Sequence, residues 1–127
     1  MSRWCAVLIA AVSALVVVSD GVAKADVGRP GIVYASVKND RSNIYVVSDS
    51  ASPHLLVGGR SNERAPAWSP DGTRVAFDSN RSGNYDIWVL NRTTHHLRRI
   101  THEGAYDADP TWSPDGTRLA FVTTQWG

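Results

Sequence analysis

A ten-residue stretch of this chain returns almost unchanged. The string Trp68-Ser69-Pro70-Asp71-Gly72-Thr73-Arg74-Val75-Ala76-Phe77 returns 44 residues later as Trp112-Ser113-Pro114-Asp115-Gly116-Thr117-Arg118-Leu119-Ala120-Phe121. Nine of the ten positions are identical and the tenth exchanges Val for Leu. The repeat also extends upstream: Ile32-Val33-Tyr34-Ala35-Ser36 aligns with Val75-Ala76-Phe77-Asp78-Ser79 at an offset of 43, and Asn43-Ile44-Tyr45-Val46-Val47 aligns with Asp86-Ile87-Trp88-Val89-Leu90 in the same register. A duplication at this period restricts the fold severely. Each copy has to form the same local unit, and neighbouring units have to bury one another.

Within a unit the pattern is that of strands. Arg74-Val75-Ala76-Phe77 and Tyr85-Asp86-Ile87-Trp88-Val89-Leu90 are rich in β-branched and aromatic residues and are bounded by turn formers. Ser69-Pro70-Asp71-Gly72 reads as a hairpin connection: Pro presets φ, Asp satisfies nearby backbone donors, and Gly takes the left-handed conformation. Residues 80–84 and 91–94 supply the next two turns. Four strands follow, an inner, second, third and outer one, at 65–69, 74–79, 85–90 and 97–101. Three strands precede them (32–36, 43–47, 54–57) and two follow (109–113, 118–123). Trp68, Trp112, Phe77, Phe121, Tyr34, Tyr45 and Trp88 are expected to pack between neighbouring sheets.

Four antiparallel strands every 43 or 44 residues match a β-propeller blade. The string Pro-x-Trp-Ser-Pro-Asp-Gly-x-x-Val/Leu-Ala-Phe, followed by Ser-x-Arg-x-Gly-x-x-Asp-Ile-Trp, resembles the TolB-type propeller repeat. That resemblance implies an all-β fold of four-stranded antiparallel blades. It also implies an envelope role through protein contacts, with the channel mouth receiving a partner segment. The nine strands make an incomplete β-propeller of about two and a quarter blades: a partial blade at 31–57, a full one at 65–101 and a partial one at 109–123. Propellers close with four to eight blades, so a longer protein, a truncated reading frame or self-association with other copies is expected to account for the missing ones.

The first 25 residues read as a leader. Arg3 precedes an almost unbroken apolar run of 14 residues from Cys5 to Val18, which Ser19, Asp20 and Gly21 end. Ala23-Lys24-Ala25 places small residues where a signal peptidase reads, so cleavage is expected before Asp26. The run is short for a membrane-spanning helix, and no stable membrane insertion is expected after cleavage. The cut removes Arg3, Lys24 and Asp20, leaving a formally neutral chain at 26–127, from a precursor of net charge +1. It also removes Cys5, the chain's one cysteine, which excludes a disulfide framework or a Cys-based zinc site. A periplasmic or secreted location follows. The charge balance points away from nucleic acid as a partner.

No catalytic constellation stands out. There is no Gly-x-Ser-x-Gly elbow, no Gly-rich phosphate loop and no His-Glu-x-x-His. His95 and His96 are adjacent, so on a strand they point to opposite faces. No enzyme activity, cofactor or metal is therefore expected. Function is expected in the loops. Connections in an up-and-down blade alternate between the two ends of the disc, so the outer-to-inner connections (58–64 and 102–109) share an end with the second-to-third turns. Glu63, Arg64, Asn80, Arg81, Asn84, Asp107 and Asp109 form the expected contact surface for a protein partner of the envelope. Glu63 and Asp107 occupy equivalent repeat positions, which suits either a ring of carboxylates or solvated loop charges, and the solvated reading is favoured. The leading expectation is a secreted, non-catalytic module for protein or ligand binding. The alternative is the propeller part of a secreted enzyme, a prolyl-oligopeptidase-like peptidase or a polysaccharide lyase, whose catalytic part lies elsewhere.

Overall fold

A computed structural model describes residues 31–48 and 52–125. The leader at 1–25 and its cleavage point lie outside the described residues. Nine strands are present: β1 (Ile32–Lys38), β2 (Arg41–Val47), β3 (His54–Val57), β4 (Glu63–Trp68), β5 (Arg74–Ser79), β6 (Asp86–Asn91), β7 (Leu97–Arg99), β8 (Asp107–Trp112) and β9 (Leu119–Thr123). They form three antiparallel sheets in sequence order, β1-β2-β3, β4-β5-β6-β7 and β8-β9, hereafter blades 1, 2 and 3. Among the described residues no helix is long and apolar enough to cross a membrane.

Period-2 alternation builds the core. In β2, Ser42, Ile44 and Val46 are buried while Asn43, Tyr45 and Val47 are only half-buried. One face of blade 1 therefore turns toward blade 2. Ile44 and Val57 of blade 1 pack with Val75, Phe77 and Leu90 of blade 2, and Trp68 and Trp88 lie against that cluster. The central blade is the most deeply buried: Val75 through Ser79 are all buried in β5. The face of blade 1 away from blade 2 carries Tyr34 stacked on Tyr45, with ring centroids 5.9 Å apart.

The tryptophans join the blades, as their positions led us to expect. Trp112 Nε1 donates to the Ala67 carbonyl at 3.1 Å, and Trp68 Nε1 donates to the Gly31 carbonyl at 3.0 Å. Arg74 adds a second tie between blades 2 and 3. Its guanidinium lies 4.4 Å above the Trp112 ring and donates to the Gly116 carbonyl at 2.8 Å.

The two Ser-Pro-Asp-Gly hairpins are superposable in their bonding. In the first, the amide of Gly72 donates to Ser69 O at 2.8 Å and that of Ser69 donates to Arg74 O at 2.9 Å. Gly116 and Ser113 repeat this at 2.8 and 2.9 Å. Gly72 and Gly116 have φ of 70° and 69°, the left-handed conformation the turn requires. Asp71 Oδ1 accepts from Ser69 Oγ, Thr73 N and Thr73 Oγ1 at 2.5, 3.0 and 2.8 Å, and Asp115 repeats the set.

Two departures from the sequence pattern have physical causes. In blade 1 the second-to-third connection shrinks to Asn39-Asp40, both at positive φ, so β1 and β2 run longer than expected. Asn and Asp tolerate that conformation and close a two-residue hairpin. In blades 2 and 3 the inner strands start at Glu63 and Asp107, two residues earlier than expected. Pro66 and Pro110 cannot donate to a ladder, and each sits in a bulge where the register shifts. Pairing then resumes on the far side: Glu63 meets Ser79 and Arg64 meets Asp78.

Candidate functional site: the loop end of blade 2

The earlier strand start changes what the acidic residues are. Glu63 is fully buried and Asp107 is 3% exposed, so neither is a solvated loop charge. This corrects the sequence expectation. Both lie in inner strands, and burial of a carboxylate demands a partner. Glu63 Oε1 accepts from Arg81 Nη2 at 2.7 Å, Ser61 Oγ at 2.5 Å and Ser79 Oγ at 3.2 Å. Its Oε2 is buried with no hydrogen-bond partner among the described residues.

Two more buried carboxylates lie in the same blade, and the sequence pattern had placed them only as strand residues. Asp78 accepts from Arg64 Nε at 2.9 Å through Oδ1 and from the Asp109 amide at 3.2 Å through Oδ2. Asp86 pairs with Arg99 Nη2 at 2.8 Å and accepts from the Ser82 hydroxyl. Blade 2 thus holds three carboxylate–arginine pairs. Their acids are buried (Glu63 0%, Asp78 1%, Asp86 0%) and their arginines partly exposed.

The expected loop-end residues do converge. The outer-to-inner connections meet the second-to-third turn: Asn80 Oδ1 accepts from the Asn62 amide at 2.8 Å, and Asn84 Nδ2 donates to the Ala105 carbonyl at 2.5 Å. Asn62 Oδ1 in turn accepts from the Ser42 amide at 2.9 Å, which ties this end to blade 1. The Asp107 amide donates to Tyr85 O at 2.9 Å. Asn80 and Asn84 each commit one side-chain atom to these contacts, Arg81 and Glu63 pair with each other, and Asp107 is held through its backbone amide. Arg64 and Asp109 face solvent.

Arg64 is the most exposed of the three paired arginines, at 37%, and it is held in one position. Its guanidinium lies 3.7 Å above the Tyr85 ring centroid, bonds Asp78 through Nε and donates through Nη2 to the Tyr106 hydroxyl. Burial works against the charge, but the bonds to Tyr106 and Asp78 outweigh it, so the guanidinium pKa is raised. Tyr85 and Tyr106 lie tilted against each other, 5.2 Å apart, and Tyr106 is 39% exposed. The sequence reading missed both tyrosines. Their one signal was an aromatic residue beside each loop at this end. An arginine fixed flat on a tyrosine, with a second tyrosine beside it, offers an apolar surface edged by oriented donors. Aromatic and arginine side chains of this kind are enriched at protein interfaces in general. Among the described residues no three His, Cys, Asp or Glu side chains group closely enough to hold a metal ion.

Comparison with known proteins agrees with this architecture. A family model described as the TolB beta propeller domain matches residues 23–127. A Tol-Pal system protein TolB from Methylococcus capsulatus is 37% identical over 94 residues, covering 66% of this chain and 22% of that protein. A protein TolB homolog from Protochlamydia amoebophila is 43% identical over 47 residues, 36% of this chain and 10% of the relative. A solved TolB-assigned structure from Agrobacterium tumefaciens superposes with a TM-score of 0.69 at 29% identity, covering 74% of this chain and 34% of that one. The chain thus spans about a fifth of the first curated relative's length. On the family match, the repeat and the blade geometry together, the chain belongs to the TolB β-propeller domain family.

Proposed function

We propose that this chain is an exported, non-catalytic propeller module that binds a protein partner of the cell envelope through the loop end of blade 2. The observation that carries the reading is the fixed Arg64–Tyr85–Tyr106 group, exposed beside Asp109 at the end where the connections gather. Rigid aromatic and arginine side chains contribute most of the energy at protein interfaces because little conformational entropy is lost when they are covered. The names of the curated relatives, Tol-Pal system proteins, support a protein-contact role. The leader at 1–25 supports a periplasmic or secreted location, with the mature chain starting at Asp26.

A photo-crosslinking residue tests the surface. Placed at Tyr106 in the exported protein, it is expected to give a discrete adduct with an envelope protein. The same residue at Thr93, in the turn at the opposite end of blade 2, is expected to give none. Equal labelling from both positions would remove the loop end as the partner surface.

A further inference from the structure

Arg64 carries more donors than its neighbours accept. A guanidinium has five N–H groups and no acceptor. Among the described residues Nε donates to Asp78 Oδ1 at 2.9 Å and Nη2 donates to the Tyr106 hydroxyl. Three N–H groups on the two Nη atoms are left to solvent, on a side chain that is 37% exposed. The Tyr106 oxygen accepts from Arg64, so its own O–H is also available to donate.

These donors are held in position. The guanidinium is stacked on Tyr85 and bonded along one edge to Asp78, which is 1% exposed, and Tyr106 leans on Tyr85 with ring centroids 5.2 Å apart. Arg64 lies in β4 and Tyr106 directly precedes β8, so the group straddles the seam between blades 2 and 3 at the loop end. Every residue that builds it is described, and no further strand is needed to form it.

The chemistry left open is that of an acceptor. Hydrogen bonds from a guanidinium to a carboxylate are roughly twice as strong as neutral ones, and two N–H groups of one edge match two carboxylate oxygens. Asp109 is exposed beside the group but makes no ion pair with Arg64; it is its backbone amide that bonds here, to Asp78 at 3.2 Å. We infer that Arg64 and Tyr106 take a carboxylate of the partner segment, from an acidic side chain or a C-terminus, with an apolar group of that segment against the exposed Tyr106 ring. The inference rests on the loop end of blade 2 being the partner surface, as proposed above.

The test titrates the full exported chain with four small probes and follows the Arg64 Nε–H and Tyr106 ring signals by NMR. N-acetylphenylalanine presents a main-chain carboxylate beside a ring, and N-acetylglutamate benzylamide presents a side-chain one. N-acetylphenylalaninamide and N-acetylglutamine benzylamide are their neutral counterparts. One acid or both are expected to shift these signals saturably and about tenfold more tightly than the matching amide, and the tighter acid identifies the source of the carboxylate. Tyr106→Phe removes one donor from an exposed ring and is expected to weaken that acid about threefold. Asp109→Asn suits the φ of 53° and removes a nearby negative charge, so it is expected to tighten binding about twofold. No shift with either acid, equal binding of acid and amide, or no effect of Tyr106→Phe at an unchanged melting temperature overturns the inference. If the photo-crosslinker at Tyr106 still gives its adduct, the partner surface stands and carboxylate recognition alone falls. Loss of the adduct as well removes both.

Discussion

Each of the three ion-paired carboxylates of blade 2 is compensated by one arginine, and Glu63 is the sharpest case. Its carboxylate is fully enclosed and meets one cation, Arg81, whose side chain is 21% exposed. Arg81→Leu would leave that charge enclosed and uncompensated, which typically costs about 3 kcal/mol or more. Denaturant melts should show this loss, and the double change Arg81→Leu with Glu63→Leu should recover much of it. A double variant no more stable than the single would show that Glu63 does not depend on Arg81. Glu63 is also where sequence reading fell short. Pro66 interrupts the strand pattern, so the two residues before the bulge looked like loop, and burial in a half-seen strand is invisible to periodicity. Asp71 and Asp115 were fully legible, because Asp before Gly in a tight turn has one local job. Bonds from Ser69 and Thr73 hold the Asp71 carboxyl down to about 2, and those from Ser113 and Thr117 hold Asp115 at about 2. A carboxyl depressed in the fold stabilises the folded state above its unfolded pKa, near 3.9. That contribution disappears as pH falls from about 4 to about 2. NMR titration should give both midpoints near 2, and Asp71→Asn with Asp115→Asn should flatten the pH dependence of stability across that window.

At the scale of the element, the inner strands combine a bulge with an anchor. Ala65 and Asp109 sit at equivalent bulge positions with φ of 47° and 53°. Asp reaches the left-handed region with help from its short polar side chain, but Ala has no such help and carries a strain on the order of 1 kcal/mol. Ala65→Gly is therefore expected to stabilise the chain by up to about 1 kcal/mol in a melt, whereas Gly at any extended position of β5 would destabilise it. A clear loss on Ala65→Gly would argue against the bulge. Three residues further on, Trp68 and Trp112 hold successive blades together. Trp112→Phe keeps most of the ring area but strands the Ala67 carbonyl, so it should cost about 1 kcal/mol; Trp112→Ala also opens a void and should cost about 3 kcal/mol. Similar small losses for both changes would mean that the ring is not an inter-blade contact. Trp packing was readable from the repeat because a large aromatic recurring at one register position has to meet a neighbour. The bulge was not, since φ leaves no trace in residue type when the residue is Ala.

At the scale of the whole molecule, blade position governs how firmly each sheet is held. Blade 2 has a neighbour on both faces, and five consecutive residues of β5 are buried. Blade 3 has one neighbour among the described residues, and in β9 only Leu119 is even half-buried, with Val122 58% exposed. The three ion pairs also belong to blade 2. The repeat offset made the number and order of strands legible in advance, but equal sequence does not give equal stability. Val75-Ala76-Phe77 and Leu119-Ala120-Phe121 are near copies, yet one lies between two sheets and the other beside one. Local opening costs least where few buried contacts are lost. Hydrogen exchange should therefore protect the amides of β5 and β6 most, those of β1 and β2 less, and those of β9 least. The loop end of blade 2, pinned by the Asn80 and Asn84 bonds and by the Arg64 group, should exchange more slowly than the Asn91–His96 turn at the other end. That difference matters for recognition, because a partner that meets a pre-ordered surface loses less entropy on binding. Equal exchange in β5 and β9 would mean that the blades do not derive their order from one another, and the stability of the proposed contact surface would need another source.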